Sequence, residues 1–333
     1  MMTSFVVKKN TFAPASFRFD GDPSNYVAGA KSSYFSTSDI SAIPASMYYT
    51  VGVPGQYMTS EMKLSYSAWI NPLWFTQNFP VEFFSIEVPS VTSGNYSNGS
   101  LVFCYDTQNS TLQLRFNGQD NGVVSVYNLY EAPISVGGND YNSGITGLNN
   151  VWDSTNTPLP WIHIGFIFDL NAQVGATTSY TTGTQNNSYT NQPGRVSNRV
   201  KMYWNGAPLL TYEYDPSSLP SGYLSFYNVF ATPYLTVGGT YVTLGGRHFP
   251  TAHKQDQVAI RLGTNVLGDA MMANYYNNPS LSMSSWVQNG LWHYPGKANE
   301  TSPLTVYGSG PILTPYSNGN LALPSIDDIF FKA

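Results

Sequence analysis

The chain has 333 residues, of which only 10% are Asp, Glu, Lys or Arg, against roughly 25% in an ordinary soluble domain. Hydrophobic residues make up 42% and aromatics 15%, and the net charge is −5. This balance excludes intrinsic disorder, which needs low hydrophobicity and high net charge. It also excludes a helical bundle rich in Ala, Glu, Lys and Leu, and a basic footprint for nucleic acid.

What is left is a β-rich chain with a polar, largely uncharged surface. Tyr, Thr, Val and Phe suit a pleated surface, and the abundant Asn, Gly, Pro and Ser suit turns. In chain order, Ser16–Asp20 alternates and breaks at Gly21-Asp22-Pro23. Met62–Ile70 alternates and is expected to stop at Asn71-Pro72. Val81–Val88 is a third strand, and Ser100–Asp106 with Thr111–Phe116 reads as a hairpin around a short polar turn. Val123–Tyr130 and the long apolar Trp161–Leu170 follow. Arg199–Trp204 turns at Asn205-Gly206, a strong hairpin signal, and returns as Leu209–Tyr214. Thr240–Leu244 and Gln257–Leu262 complete the set.

Gly268–Tyr276 is the one expected helix, with Asp269 placed to cap it and Asn277-Asn278-Pro279 to end it. The strands do not alternate with helices, which argues against a parallel sheet. The fold class expected is all-β, an antiparallel two-sheet jelly-roll sandwich. Residues 1–14 read as an N-terminal arm, 15–280 as the sandwich, and 281–333 as an extension packing on it or on a neighbouring subunit. Residues 131–160 and 170–194 read as long loops, the second containing no charged residue or His.

Several of these segments resemble laminin G-like, concanavalin A-like jelly rolls. The run Phe17-Arg18-Phe19-Asp20-Gly21-Asp22-Pro23-Ser24-Asn25-Tyr26-Val27 resembles their opening strands. Leu64-Ser65-Tyr66-Ser67-Ala68-Trp69-Ile70-Asn71-Pro72 is similar to their Ser-x-Ala-Trp strand, and Trp161–Asp169 to their central Trp-His strand. Val200–Gly206 resembles their Tyr-x-Asn-Gly hairpin; Leu244-Gly245-Gly246 and the 269–276 helix match the closing elements. The resemblance implies the fold. It implies no one function, since this fold hosts lectins, hydrolases, adhesion modules and virion proteins. Two departures stand out: the insertion after Asp169 is long, and the Glu-x-Asp-x-Glu strand of the sugar hydrolases is missing.

The search for chemistry is mostly negative. Cys104 sits in the apolar run Leu101–Tyr105, and as the only cysteine it reads as a small buried hydrophobe. Asp20 and Asp22 are the sole Ca²⁺ candidates, although a turn is the simpler reading; no other cofactor is expected. Glu213 and Asp215 have the two-residue spacing of a carboxylate pair but read as a solvated strand end before Pro216. Asp106, Glu131 and Asp153 are too scattered to assign. His163 is expected on a sheet face with a satisfied hydrogen bond. His248 and His253 are spaced for a shared metal but lack supporting ligands.

The loop aromatics Tyr141, Trp152, Tyr180 and Tyr189, with Tyr96, lie among Asn, Gly, Ser and Thr. Rigid rings beside short amides and hydroxyls have a binding-loop composition. Tyrosines covering a polar surface or filling subunit interfaces give the same pattern. No catalytic residue is assigned. The expectation is a non-enzymatic virion structural protein, a bacteriophage tail or head-decoration component. It would be made in the host cytoplasm, without a signal peptide or membrane span, and would contact other copies of itself and other virion proteins. Its loops would bind host-surface glycans. The alternatives are a carbohydrate-binding or adhesion module and, further off, a glycan-cleaving enzyme.

Overall fold

Alternation of apolar and polar residues, period two, builds many of the described residues into strands whose apolar side chains share one face. The computed structural model describes residues 14–19, 33–37, 63–74, 80–88, 97–106, 111–120, 123–136, 139–140, 161–169, 172, 175, 177–182, 192–214, 241–247, 252–262, 268–277, 291–294, 296–297, 307–308, 313–317 and 323–328.

The strands are β1 (Pro14–Phe19), β2 (Ser33–Thr37), β3 (Lys63–Trp74), β4 (Val81–Val88), β5 (Ser97–Asp106), β6 (Thr111–Asp120), β7 (Val123–Pro133), β8 (Ser135–Val136) and β9 (Asn139–Asp140). They continue as β10 (Ile162–Asp169), β11 (Thr177–Thr182), β12 (Gln192–Val196), β13 (Val200–Trp204), β14 (Ala207–Leu209), β15 (Tyr212–Tyr214), β16 (Tyr241–Gly245) and β17 (Ala252–Leu262). After helix α1 (Asp269–Asn277) come β18 (Leu291–Tyr294), β19 (Gly296–Lys297), β20 (Tyr307–Gly308), β21 (Thr314–Ser317) and β22 (Ser325–Asp328).

Every pairing described is antiparallel, and two ten-stranded sheets result. The first runs β14-β13-β10-β3-β17-β1-β19, with β18 and β20 joined beside β17 and β22 beside β1. The second runs β11-β12-β15-β7-β6-β5-β4-β16-β2-β21. Apolar side chains of both sheets meet in one core, so the expected all-β two-sheet sandwich is the fold.

Aromatic rings fill the centre of that core. Phe103 and Phe166 lie 4.8 Å apart between centroids, and Tyr66 stacks on Phe84 at 5.0 Å. Each fully buried phenyl contributes about 1.5–3 kcal/mol of transfer free energy. The hydroxyl of Tyr66 is satisfied inside by Gln255 Oε1 at 3.0 Å.

Three local readings change. β3 continues through Pro72 to Trp74, because β10 ends opposite Ile70 and leaves that stretch paired only with β17; a residue without an N–H is tolerated there. The return from the Asn205-Gly206 turn is short: β14 ends at Leu209, the chain leaves the first sheet, and β15 joins the second. The segment 170–194, expected as a loop, carries β11 and the start of β12, which pair with each other and, through β15, extend the second sheet. Thr177–Thr182 is β-prone but contains no aliphatic residue, so its apolar periodicity is silent. Within 131–160, β7 reaches Pro133, β8 and β9 pair, and residues 141–160 lie outside the described residues.

Residues from 281 onward contribute strands to both sheets: β18, β19, β20 and β22 to the first and β21 to the second. α1 lies on the outer face of the first sheet, where Met272 and Tyr275 pack with Tyr203 and Ala259. Gly165 makes that close packing possible: a Cβ there would come within 3.1 Å of Met272 Sδ and 2.7 Å of the Tyr66 carbonyl oxygen. The N-cap is Gly268, whose carbonyl accepts from Met272 N at 3.0 Å; Asp269 stands one residue later, in the first turn. No described helix is long and apolar enough to cross a membrane.

Candidate functional site

Alternation on β5 and β6 sends Leu101, Phe103, Leu112 and Leu114 inward and puts Cys104, Asp106, Gln113 and Arg115 on the outer face of the second sheet. Register then sets Glu82 beside Cys104, and Glu131 beside Gln113. These outer-face side chains are all buried.

Gln113 organises the group. Its Nε2 lies 2.8 Å from Thr111 Oγ1, 3.1 Å from Asp106 Oδ2 and 3.4 Å from Glu131 Oε2. An amide nitrogen has two protons for these three oxygens, so the longest contact, to Glu131, is the weakest. Arg115 donates from Nε to Gln113 Oε1 at 2.6 Å and from Nη2 to Asp106 Oδ2 at 3.2 Å. Asp106 and Glu131, unassignable in the sequence, thus meet at one amide. Burial pushes the Cys104 thiol up to about 12, partly opposed by Arg115 and reinforced by Asp106 and Glu82. A thiol held protonated is not a nucleophile at neutral pH.

The same sheet face ends at β21, an edge strand whose outward residues Thr314 and Tyr316 are exposed. Tyr316 pairs in register with Tyr34 of β2, and the rings stack at 5.6 Å with 20° between planes. The Arg247 guanidinium carbon lies 5.8 Å from the Tyr34 ring centroid. Gly245 pairs with Tyr34 on the other side and places no side chain beside that ring. Tyr34 is buried, whereas Tyr316 is 44% exposed. The result is an open aromatic step with a cation at its inner end.

On the first sheet's outer face, His163 Nε2 lies 2.8 Å from Ser67 Oγ, as its alternation with Ile162 and Ile164 requires. Burial lowers its imidazole to about 3. Trp69 packs beside it, and Tyr276 of α1 stacks on Trp69 at 5.7 Å.

Tyr180 lies on β11. Tyr96, Tyr141, Trp152, Tyr189, Asp20, Asp22, Asp153, Asp215 and His248 lie outside the described residues. Glu213 is not a solvated strand end: it is 2% exposed, and burial raises its carboxyl against the pull of Arg199 and Ser197. His253 sits in the core against Phe19 and Phe83. Among the described residues no group of three or more His, Cys, Asp or Glu could hold a metal. Tyr34, Tyr316 and Arg247 were missed, because β21 is four residues long with Pro315 inside it and carries no periodic signal.

No protein-family model and no curated protein sequence matches this chain. Its fold is similar to solved structures at low identity. A crystal structure of a receptor binding domain matches at 10% identity and a TM-score of 0.33, covering 80% of this chain and 47% of that one. The Ruminococcus gnavus IT-sialidase CBM40 bound to α2,3 sialyllactose matches at 9% identity and 0.33, covering 77% and 96%. The binding domain of botulinum neurotoxin DC in complex with rat synaptotagmin II matches at 12% and 0.29, covering 79% and 46%. The chain thus spans about half the length of the first and third of these.

Proposed function

We propose that this chain is a carbohydrate-binding module that takes sugar on the Tyr34–Tyr316 step and has no catalysis of its own. The observation that carries the reading is the exposed Tyr316 ring, fixed from beneath by a buried one. A ring held in place loses little entropy on binding, and its apolar face and polar hydroxyl suit the mixed surface of a sugar. The uncharged, amide- and hydroxyl-rich composition fits the same ligand class. Asp106 and Glu131 do not support hydrolysis: both are buried and spend hydrogen-bonding capacity on Gln113. The virion reading is not adopted, because no feature of the described site points to it.

The test is an oligosaccharide array probed with the full chain and with Tyr316→Ala. Y316A should keep the wild-type circular dichroism and lose about tenfold or more in affinity, the scale of one buried aromatic contact. Equal binding by a folded Y316A moves the site elsewhere, and no binding by the wild type to any sugar removes the reading.

A further inference from the structure

We infer that the sugar recognised at this step carries a carboxylate, and that Arg247 holds it; the inference rests on the glycan-binding reading above. Three features converge on one patch. Arg247 stands over the Tyr34 ring, Tyr34 stacks on Tyr316, and Tyr316 opens to solvent. The described side chains that share this edge are aromatic or carry hydroxyls: Thr314 and Tyr316 on β21, Tyr34 and Ser36 on β2, Thr243 on β16. The Ser36 and Thr243 hydroxyls bond each other at 2.9 Å.

A guanidinium over a tyrosine ring is positioned by the ring without losing its charge. Its planar fork matches the two oxygens of a carboxylate. A neutral sugar on Tyr316 would use only the ring. Arg247 and the Tyr316 ring lie 5.8 and 5.6 Å from the Tyr34 ring centre, so a sugar acid that spans the step can meet an aromatic face at one end and the cation at the other. In a chain with 14 Lys and Arg and net charge −5, long-range attraction is not the reason an anion would settle here. Short-range geometry at one arginine is.

The experiment titrates the full chain calorimetrically with paired ligands. Hexuronate oligosaccharides and sialylated oligosaccharides are each compared with their carboxyl-reduced neutral counterparts, and a sulfated neutral oligosaccharide serves as a third arm. At least one carboxylated ligand should bind about tenfold or more tighter than its reduced partner, the scale of a charge-assisted hydrogen bond; which of the two does so identifies the source. Arg247→Gln should erase that preference while leaving the weaker neutral binding in place, and Arg247→Lys should restore part of it. If R247Q fails to fold, R247K still reports, because it keeps the charge and loses the fork.

Equal binding of carboxylated and reduced ligands overturns the inference and leaves glycan binding standing. So does a preference that survives in folded R247Q. A sulfated ligand that binds as tightly as the carboxylated one also overturns it, in favour of a general anion site. No binding to any arm overturns both readings.

Discussion

Arg115 and Asp106 form an ion pair at 3.2 Å in which neither side chain is more than 1% exposed. The pair sits on the outer face of the second sheet, where a sandwich ordinarily meets water. Breaking one half of such a pair strands a buried charge. Asp106→Asn should therefore cost about 3–5 kcal/mol in urea unfolding. The double variant D106N/R115M should recover part of that loss, because it removes the orphaned guanidinium. A D106N protein as stable as wild type would show that the network is not closed in solution.

The Asn205-Gly206 turn ties the first sheet to the helix. Both residues have positive φ, 49° and 77°, as a two-residue hairpin of matching twist requires. A Cβ on Gly206 would also come 2.7 Å from Tyr276 Cβ on α1. Gly206→Ala should cost about 1–2 kcal/mol from backbone strain alone. It should in addition alter Trp69 fluorescence, since Tyr276 is the ring stacked on Trp69. Lost stability with unchanged emission would mean that the helix absorbs the methyl without moving.

How far the sequence revealed this molecule depended on where apolar residues fell. Trp161–Leu170 and Ser100–Phe116 have strong periodicity, and β10, β5 and β6 lie where it points. Thr177–Thr182 and Thr314–Ser317 have almost none; they are strands because neighbouring strands offer free edges, a property of the assembled sheet. The site residues follow the same rule. His163 was readable from its own strand. The meeting of Asp106 with Glu131, or of Tyr34 with Tyr316, joins residues 25 or 282 positions apart, and only register creates it.

Asp269 anchors the helix to β13. Its Oδ1 accepts from the Tyr203 hydroxyl at 2.5 Å, and Lys201 Nζ lies 3.3 Å away. The Tyr203 bond is the largest influence holding the Asp269 carboxyl below the ordinary Asp value, with Lys201 adding to it against some desolvation. A depressed folded value gives stability that is present above the unfolded pKa and lost as pH falls through the folded one. Tyr203→Phe should therefore raise the Asp269 titration toward the ordinary value in a carboxyl NMR experiment. An unshifted carboxyl in Y203F would transfer the effect to Lys201.

Acid should unfold this protein through its buried histidines. Burial lowers both His163 and His253 from 6.5 to about 3. The environment of His253 explains why it stays neutral. Gln255 Nε2 lies 2.7 Å from His253 Nε2 and donates its other proton to the Phe83 carbonyl at 2.7 Å. With Tyr66 occupying Gln255 Oε1, the amide nitrogen must face His253, so that ring nitrogen has to accept. Protonating it would set N–H against N–H. Between pH 6.5 and about 3 the unfolded chain thus holds a proton at each site that the folded chain does not. Stability is in place above pH 6.5 and falls with pH through that window, by on the order of a few kcal/mol per histidine at its lower end. Glu213 acts the other way: its raised carboxyl takes up a proton earlier in the folded chain and offsets part of the loss. Urea unfolding free energy measured from pH 7 to pH 4 should consequently decline with a slope approaching two protons, about 2.7 kcal/mol per pH unit. In His163→Gln the slope should drop by nearly one proton, whatever that variant costs at pH 7. An unchanged slope in H163Q would show that His163 is reached by water and protonated in the folded state.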